Sequence, residues 1–519
     1  MPTTDELELP LAPGELWWGG AVADGAAMPF GRAPHHRDLA RNAGFADAEH
    51  DGANQSAPLL VSSHGRYVWS ENPFAFTFAD GSLTVSGDDV TVGSGGATLR
   101  DAFTTASRQH FPASGTTPDE RMFSAPQYNT WMENPFLPTQ EGVLDYVSRI
   151  LGQGLPPGVV MIDDRWSQDY GAWRFDEGRF PDPAAMVATL HEWGCPVMLW
   201  VVPYVSPDSA EFRELEGRGL LLRRPDGEPV VRRWWNGYSA MLDLSHPDAL
   251  GWLREQWAPL TAIGVDGFKL DGADLRYYAD DDVAHDAPRP RTDLCEAWAA
   301  LGSEYAFNEM RACWKLGGRP LAQRLHDKPS SWGSDGLGSL IPELVAQGLI
   351  GHPYTCPDMI GGGLMTGVTT PETVDQELYV RYAQVAALAP MMQFSLSPAR
   401  VLDAEHRAAV ASAVAVRDAH LPVILDLVRS ASRTGEPVLR ALAYHHPGFE
   451  HVADEFLLGE DVLVAPVLEP GATSRPVILP PGTWLDAAGA PHTGPGEVLL
   501  EVDLHTLPVF RRLPDDTQE

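Results

Sequence analysis

Cysteine is scarce in this sequence: four in 519 residues, at 195, 295, 313 and 356, and never as a CxxC pair. Neither a thiolate metal site nor a disulfide framework is therefore suggested, and reduced thiols fit a cytoplasmic location. Positive charge is also in short supply, with 37 Lys and Arg against 71 Asp and Glu and a formal net charge of -34. Such a surface repels phosphate backbones and anionic bilayers, so neither a nucleic acid nor a membrane partner is expected; the same charge also simply keeps a chain soluble. No run reaches about 18 consecutive apolar residues, the length of a spanning helix. The first twenty residues carry acids where an export signal has a positive region, and no apolar core follows. Histidine pairs 35–36 and 445–446 lack a third ligand at useful spacing, so no metal is expected. The glycine-rich GGGLMTG at 361–367 has no strand-turn-helix setting with a following acid, so no dinucleotide is expected either. Asn54-Gln55-Ser56 is a formal glycosylation sequon, relevant only to a secreted eukaryotic protein.

What is present is a change of rhythm along a chain too long for a single core. Residues 1–118 hold short runs such as PLLVSSHGRYVW and FAFTFADGSLTVSG, broken by turn residues, and read as an N-terminal β-sandwich. Over 119–403, strand-like runs alternate with helical stretches, which predicts a parallel sheet with covering helices. The strand candidates are SAPQYN, GVVMIDD, PVMLWVVP, VDGFKLDG, YAFNEMRA, HPYTCPD and MMQFS, with a weaker one around LHDKPSSWG. Eight of them fit an α/β fold of the (β/α)8 TIM-barrel type. Residues 404–519 read as a closing helix and a C-terminal β-sandwich, and the acidic stretch 279–293 as an exposed loop over the barrel mouth. Several strand candidates end in large polar groups: Asp163 and Asp164, Asp271, Arg311, Asp327 and Asp358. Barrel active sites are assembled from strand C-terminal ends, so this placement is a functional signal.

Asp271 follows an apolar run and precedes two small residues that leave room for a ligand. A carboxylate there can attack an anomeric carbon if Lys269 or Arg311 keeps it ionised. Most Asp residues at strand ends are instead solvated or cap the next helix, so the residues alone leave the role open. A retaining glycosidase further needs a second carboxyl about 5–5.5 Å away, a distance no sequence supplies.

The run GFKLDGAD, however, resembles the nucleophile motif of glycoside hydrolase family 31, and RACWKLGGRPLAQRLHD resembles that family's segment from a sugar-binding Arg to its acid/base Asp. Arg311 and Asp327 stand 16 positions apart (327 − 311), as in the family. PDMIGGG, LLGEDVLVAPVLEPGA and ILPPGTWLD extend the likeness over roughly residues 120–512. Within the family, RRWWNGYSAMLDLSHP and SSWGSDGLGSLIPELVAQGLIGHPYTCPDMIGGG are similar to the subgroup of the myogenesis-regulating glycosidase. The resemblance implies an exo-acting retaining α-glycosidase that needs no cofactor and acts on an oligosaccharide or glycoside. Asp271 would be its nucleophile and Asp327 its acid/base, and terminal α-galactosides are the implied substrates.

Two departures bear on specificity. Met161-Ile162-Asp163 stands where the family's glucosidases have Asp-Ile-Asp, and Phe394-Ser395-Leu396-Ser397-Pro398 where they have Phe-Ser-Arg-Asn-His. Loss of hydroxyl-binding groups changes which sugar is accepted, so Asp163 or Asp164 is expected to take over that work; the alternative for both is bonding to rim amides. Trp200, Trp234 and Trp235 are candidates to stack on a sugar face or to fill the core. Asn236, Lys269 and Arg311 join the expected substrate-binding set. Asp274 either orients Lys269 or a loop, or touches substrate; Asp358 either contacts the pocket or supports strand seven. The competing readings are an α-glucosidase, α-xylosidase or transglycosylase of the same family, and a silent carbohydrate-binding protein; a homo-oligomer remains open.

Overall fold

The computed structural model describes residues 6–41, 43–44, 54–285, 289–365 and 370–514. Its centre is a barrel of eight parallel strands in chain order: Gln127–Asn129, Val160–Ile162, Val197–Val201, Gly267–Leu270, Phe307–Met310, Gln323–Arg324, Thr355–Cys356 and Gln393–Phe394. The eighth strand pairs with the first through Gln127↔Gln393 and Tyr128↔Phe394. Between seventh and eighth, Met391 N donates to Thr355 O at 3.1 Å and Ile360 N to Gln393 O at 2.9 Å, which closes the ring. Every residue of these strands is buried. That is why the second and third read as continuous apolar runs: a parallel strand under helices has no solvent face. The covering helices begin on side-chain caps written in the sequence. Thr139 accepts from Gly142 N, Asp182 from Ala185 N ahead of Pro183, and Asp375 from Leu378 N.

The sixth strand is the one displaced from expectation. It occupies Gln323–Arg324, and LHDKPSSWG is the loop that follows it. Leu325 N still bonds Cys356 O at 3.0 Å, but Lys328 N is drawn to the side chain of Asp358 at 2.6 Å, and the chain leaves the ladder.

Two sheets precede the barrel, antiparallel except for one parallel edge pairing. In one, Phe74, Phe76 and Phe78 alternate inward with Ala75, Thr77 and Ala79, the period-2 pattern of a sheet with one buried face. The other is built on Gln55–Ser62, and its edge strand is Cys313–Trp314, supplied by the loop after barrel strand five. The sandwich thus recruits two residues from well outside 1–118. After the barrel, helix Ala404–Thr434 runs 31 residues. A window of it has mean hydropathy 1.5, enough by length and composition to cross a membrane, which a search for unbroken apolar runs does not detect. Here Ala409, Val410, Ala413, Ile424 and Val428 are buried, and the guanidinium of Arg417 donates to four backbone carbonyls, those of Phe123, Ala387, Ala389 and Pro390. The C-terminal region is a six-stranded antiparallel sheet with its own apolar cluster around Leu457, Leu463, Val477, Trp484 and Phe510. Of the acidic stretch 279–293, residues 286–288 lie outside the described residues; Asp280, exposed, pairs with Arg41 and Arg291. Within GGGLMTG, 366–367 also lie outside them.

Candidate active site

Asp271 stands one residue beyond strand four, and its N–H still bonds Val201 O at 2.9 Å. Gly272 and Ala273 then turn with φ of 71° and 61°. That turn brings Gly272 N onto Asp271 Oδ1 at 2.8 Å and Ala273 N onto the Tyr204 hydroxyl at 2.9 Å. Glycine suits the first position twice over, because φ is positive and a Cβ would meet the Tyr204 ring at 3.0 Å. Arg311 Nε lies 2.6 Å from Oδ1, and Trp200 Nε1 donates to Oδ2 at 2.8 Å. Burial alone would push this carboxyl up, but Arg311, Lys269 and the Trp200 hydrogen bond outweigh it and hold it at about 2. Asp271 is a carboxylate fixed from three directions.

Arg311 extends from the end of strand five. Its Nη2 donates to Asp274 Oδ2 at 3.0 Å, and its guanidinium lies 4.6 Å from the centre of the Trp235 ring. Burial opposes its charge, but Asp271, Asp274 and Asp327 more than restore it.

Asp327 lies on the loop after strand six. Arg324 Nη1 donates to its Oδ1 at 2.9 Å, whereas Oδ2 receives no hydrogen bond from any described residue, and about a quarter of the side chain (24%) is exposed. Arg324 itself is buried. The same Nη1 reaches Asp358 Oδ1 at 2.6 Å, and Nε reaches Glu309 Oε1 at 3.2 Å. Glu309 Oε2 accepts from Gln393 Nε2 at 2.7 Å. Asp358 Oδ2 accepts from Lys328 N and Gly363 N, both at 2.6 Å. Burial pushes the Asp358 carboxyl up and Asp327 adds to the push, against Arg324 and the two amides. Of the two roles open to it, Asp358 occupies the supporting one: it has no exposed surface and its oxygens are taken by the loops it joins.

The end of strand two carries the other acids. Asp163 accepts from Lys269 Nζ at 2.7 Å and from Asp164 N at 2.8 Å, and its own N–H bonds Thr130 Oγ1. Lys269 is buried behind the rim and committed to Asp163, so it does not take the substrate-side place expected for it. Asp164 accepts from Asn236 Nδ2 at 2.6 Å and Tyr170 OH at 3.1 Å. Burial first, and then the Asp163 charge, raise its carboxyl to about 6. Asn236 thus orients Asp164 from the hairpin Val231–Trp234/Gly237–Met241. Trp200 and Trp234 are buried, and the Trp200 indole is spent on Asp271 rather than laid open as a platform. Trp235 is 39% exposed, with one face toward Arg311. Met161, where the family's glucosidases carry an acid, sits in the barrel floor with Gln393 Nε2 3.5 Å from its sulfur.

Sequence reasoning did not single out Arg324, Glu309, Tyr170 or Tyr204. Arg324 had a signal, three residues before Asp327 in QRLHD; the tyrosines had none. Among the described residues no group of three or more His, Cys, Asp or Glu side chains could hold a metal ion.

A closed parallel barrel that presents one cation-held carboxylate and a second carboxyl with an open oxygen at its strand ends has the equipment of a glycosidase. Comparison with known proteins narrows the class. The model of the glycosyl hydrolases family 31 TIM-barrel domain matches residues 121–427, and that of the family's C-terminal domain matches 435–513. The chain belongs to glycoside hydrolase family 31. It is 34% identical over 401 residues to the mouse myogenesis-regulating glycosidase, covering 74% of this chain and 55% of that protein. To alpha-glucosidase 2 of Bacillus thermoamyloliquefaciens it is 25% identical over 406 residues, covering 72% and 50%. The chain thus spans about half the length of these curated relatives. A Flavobacterium johnsoniae GH31 dextranase solved with glucose superposes with a TM-score of 0.87 over 99% of this chain and 67% of that one, at 18% identity, a likeness of fold.

Proposed function

We propose that the protein is an exo-acting, retaining α-glycosidase whose substrates are terminal α-galactosides. The observation that carries the mechanism is the asymmetry of the two carboxyls. Asp271 is ionised and immobilised by Arg311, Trp200 and Gly272 N, whereas Asp327 keeps one oxygen free at a partly exposed position. In the first step an Asp271 oxygen bonds the anomeric carbon as the glycosidic C–O bond breaks, and the Asp327 proton goes to the departing oxygen. In the second, Asp327 takes a proton from water, whose oxygen displaces Asp271 and restores the α-anomer.

The galactoside assignment is supported by the likeness to the myogenesis-regulating glycosidase subgroup, by the loss of a floor acid at Met161, and by Asp164, an acceptor held at the rim by Asn236. Transglycosylation differs only in whether water or a sugar hydroxyl meets the intermediate, and product analysis at high acceptor concentration separates the two.

The test uses aryl and alkyl α-galactosides. Asp271→Ala should abolish turnover of both, and azide, if it restores any, should yield the β-glycosyl azide. Asp327→Ala should lose far more on an alkyl or sugar leaving group than on a dinitrophenyl one, which needs little protonation. Near-normal turnover in Asp271→Ala, or equal losses in Asp327→Ala, would overturn the roles.

A further inference from the structure

Both family-model matches begin beyond residue 120, yet the site is braced from residue 55. Gln55 opens the strand Gln55–Ser62 of the N-terminal sheet and is buried against the barrel. Its Nε2 donates to Arg324 O at 2.6 Å and to Arg311 O at 3.0 Å, with Met310 O at 3.4 Å. Its Oε1 accepts from Gln347 Nε2 at 2.5 Å, from the helix Leu340–Leu349. The amide orientation is unambiguous, because the backbone carbonyls can only accept.

We propose that Gln55 is a positioning residue for catalysis, setting the backbones of the two arginines that orient the catalytic carboxyls. Arg311 holds Asp271 and Arg324 holds Asp327; the inference rests on the nucleophile and acid/base roles proposed above. Strands five and six pair only through Met310↔Gln323 and then diverge. Strand five leaves to join the N-terminal sheet, where Cys313 N bonds Asn54 O at 2.9 Å and Lys315 N bonds Ser56 O at 3.0 Å. Divergence removes the ladder partners of the carbonyls of Arg311 and Arg324 in a buried setting, where an unpaired carbonyl is costly. One side-chain amide has two N–H groups, and here they meet two acceptors on adjacent strand ends. The two arginines are thereby tied to one point, and through them the relative placement of nucleophile and acid/base. The sequon at Asn54 belongs to this joint: Asn54 is buried and its carbonyl accepts from Cys313 N.

Gln55→Met keeps the volume of the side chain and removes the donor; Gln347→Leu removes the group that orients it from the barrel side. Each is measured in the full chain beside Asp327→Ala, with its thermal midpoint recorded. Misplacement of a catalytic group by a fraction of an ångström should lower kcat by roughly 10- to 100-fold with KM little changed. The shorter bond goes to Arg324, so the loss should be several times larger for an alkyl than for a dinitrophenyl leaving group. Gln347→Leu should show the same pattern more weakly. A purely structural role would lower the thermal midpoint without changing the leaving-group ratio, and would overturn the inference, as would unchanged kcat in a folded Gln55→Met. If Gln55→Met does not fold, Gln347→Leu decides by the same ratio. Discrimination in Asp327→Ala without it in the Gln55 and Gln347 variants sinks this inference alone; its absence in Asp327→Ala sinks the acid/base assignment.

Discussion

Asp164 shows how a single residue can report on the pocket. Its carboxyl is raised to about 6, so it is an anionic acceptor at neutral pH and a neutral acid below that. If it grips a sugar hydroxyl, protonation weakens the grip, and KM for an aryl α-galactoside should rise as pH falls through about 6. Asp164→Asn should flatten that limb. A hydrogen bond to a charged acceptor contributes about 1.5–3 kcal/mol, so the wild type should favour the α-galactoside over the α-glucoside by at least about tenfold in kcat/KM, and the variant should lose most of that preference. A wild type that prefers α-glucoside or α-xyloside would remove the galactoside assignment and leave the mechanism standing. Residues of this site were unevenly legible. Asp271 and Asp327 stand out because each is an acid in a motif that resembles the family's. The support of Asp358 was readable only as one of two options, because burial decides between them. Gln55 was invisible as a support, since an uncharged amide 256 and 269 positions from its acceptors leaves no local pattern.

Among elements, the second and third barrel strands were legible because burial on both faces makes them continuous apolar runs, and five more were legible from the alternation of strand-like and helical stretches. The sixth was not, because two residues, Gln323 and Arg324, make up the strand and both are polar. Their buried side chains are stabilised by partners on other strands and loops, which no window of sequence contains. Helix Ala404–Thr434 is the complementary case: its caps and periodicity are plain, but its anchor is Arg417, a charged residue in a buried position. Burial pulls the Arg417 guanidinium down to about 10, and its four carbonyl acceptors tie the helix to the segments entering strands one and eight. Arg417→Met should leave those carbonyls unpaired at about 1–3 kcal/mol apiece and lower the thermal midpoint markedly. A midpoint within a degree or two of wild type would show that the helix is held by its apolar face alone.

At the scale of the whole molecule, Glu455 should make stability depend on pH. It lies in the C-terminal domain where Phe456–Leu458 begins, accepts from Ile478 N at 2.8 Å, and has an Oε2 without a hydrogen-bond partner among the described residues. Burial drives its carboxyl up to about 8, only partly offset by that amide and Arg475. Between its unfolded value of about 4.3 and about 8 the folded chain holds a proton that the unfolded chain has released. Stability from this group is therefore full below that window and is lost as pH rises through it, with a limiting slope of about 1.4 kcal/mol per pH unit. Glu455→Gln should raise the thermal midpoint at pH 8 relative to wild type, by more than it does at pH 5. An equal effect at both pH values would show that the side chain ionises freely in the fold.

The edge strand Cys313–Trp314 has a consequence for how the chain comes to be folded. It docks on Gln55–Ser62, synthesised 258 residues earlier (313 − 55). During translation the receiving strand leaves the ribosome long before this segment does, so the excursion between strands five and six should meet a template that has had time to form. A full-length chain refolding from denaturant must find the same pairing across that separation, with the edge and the half-made barrel exposed meanwhile. Vectorial synthesis should therefore ease one of this protein's long-range closures, and recovery from the ribosome should exceed recovery from dilution out of urea.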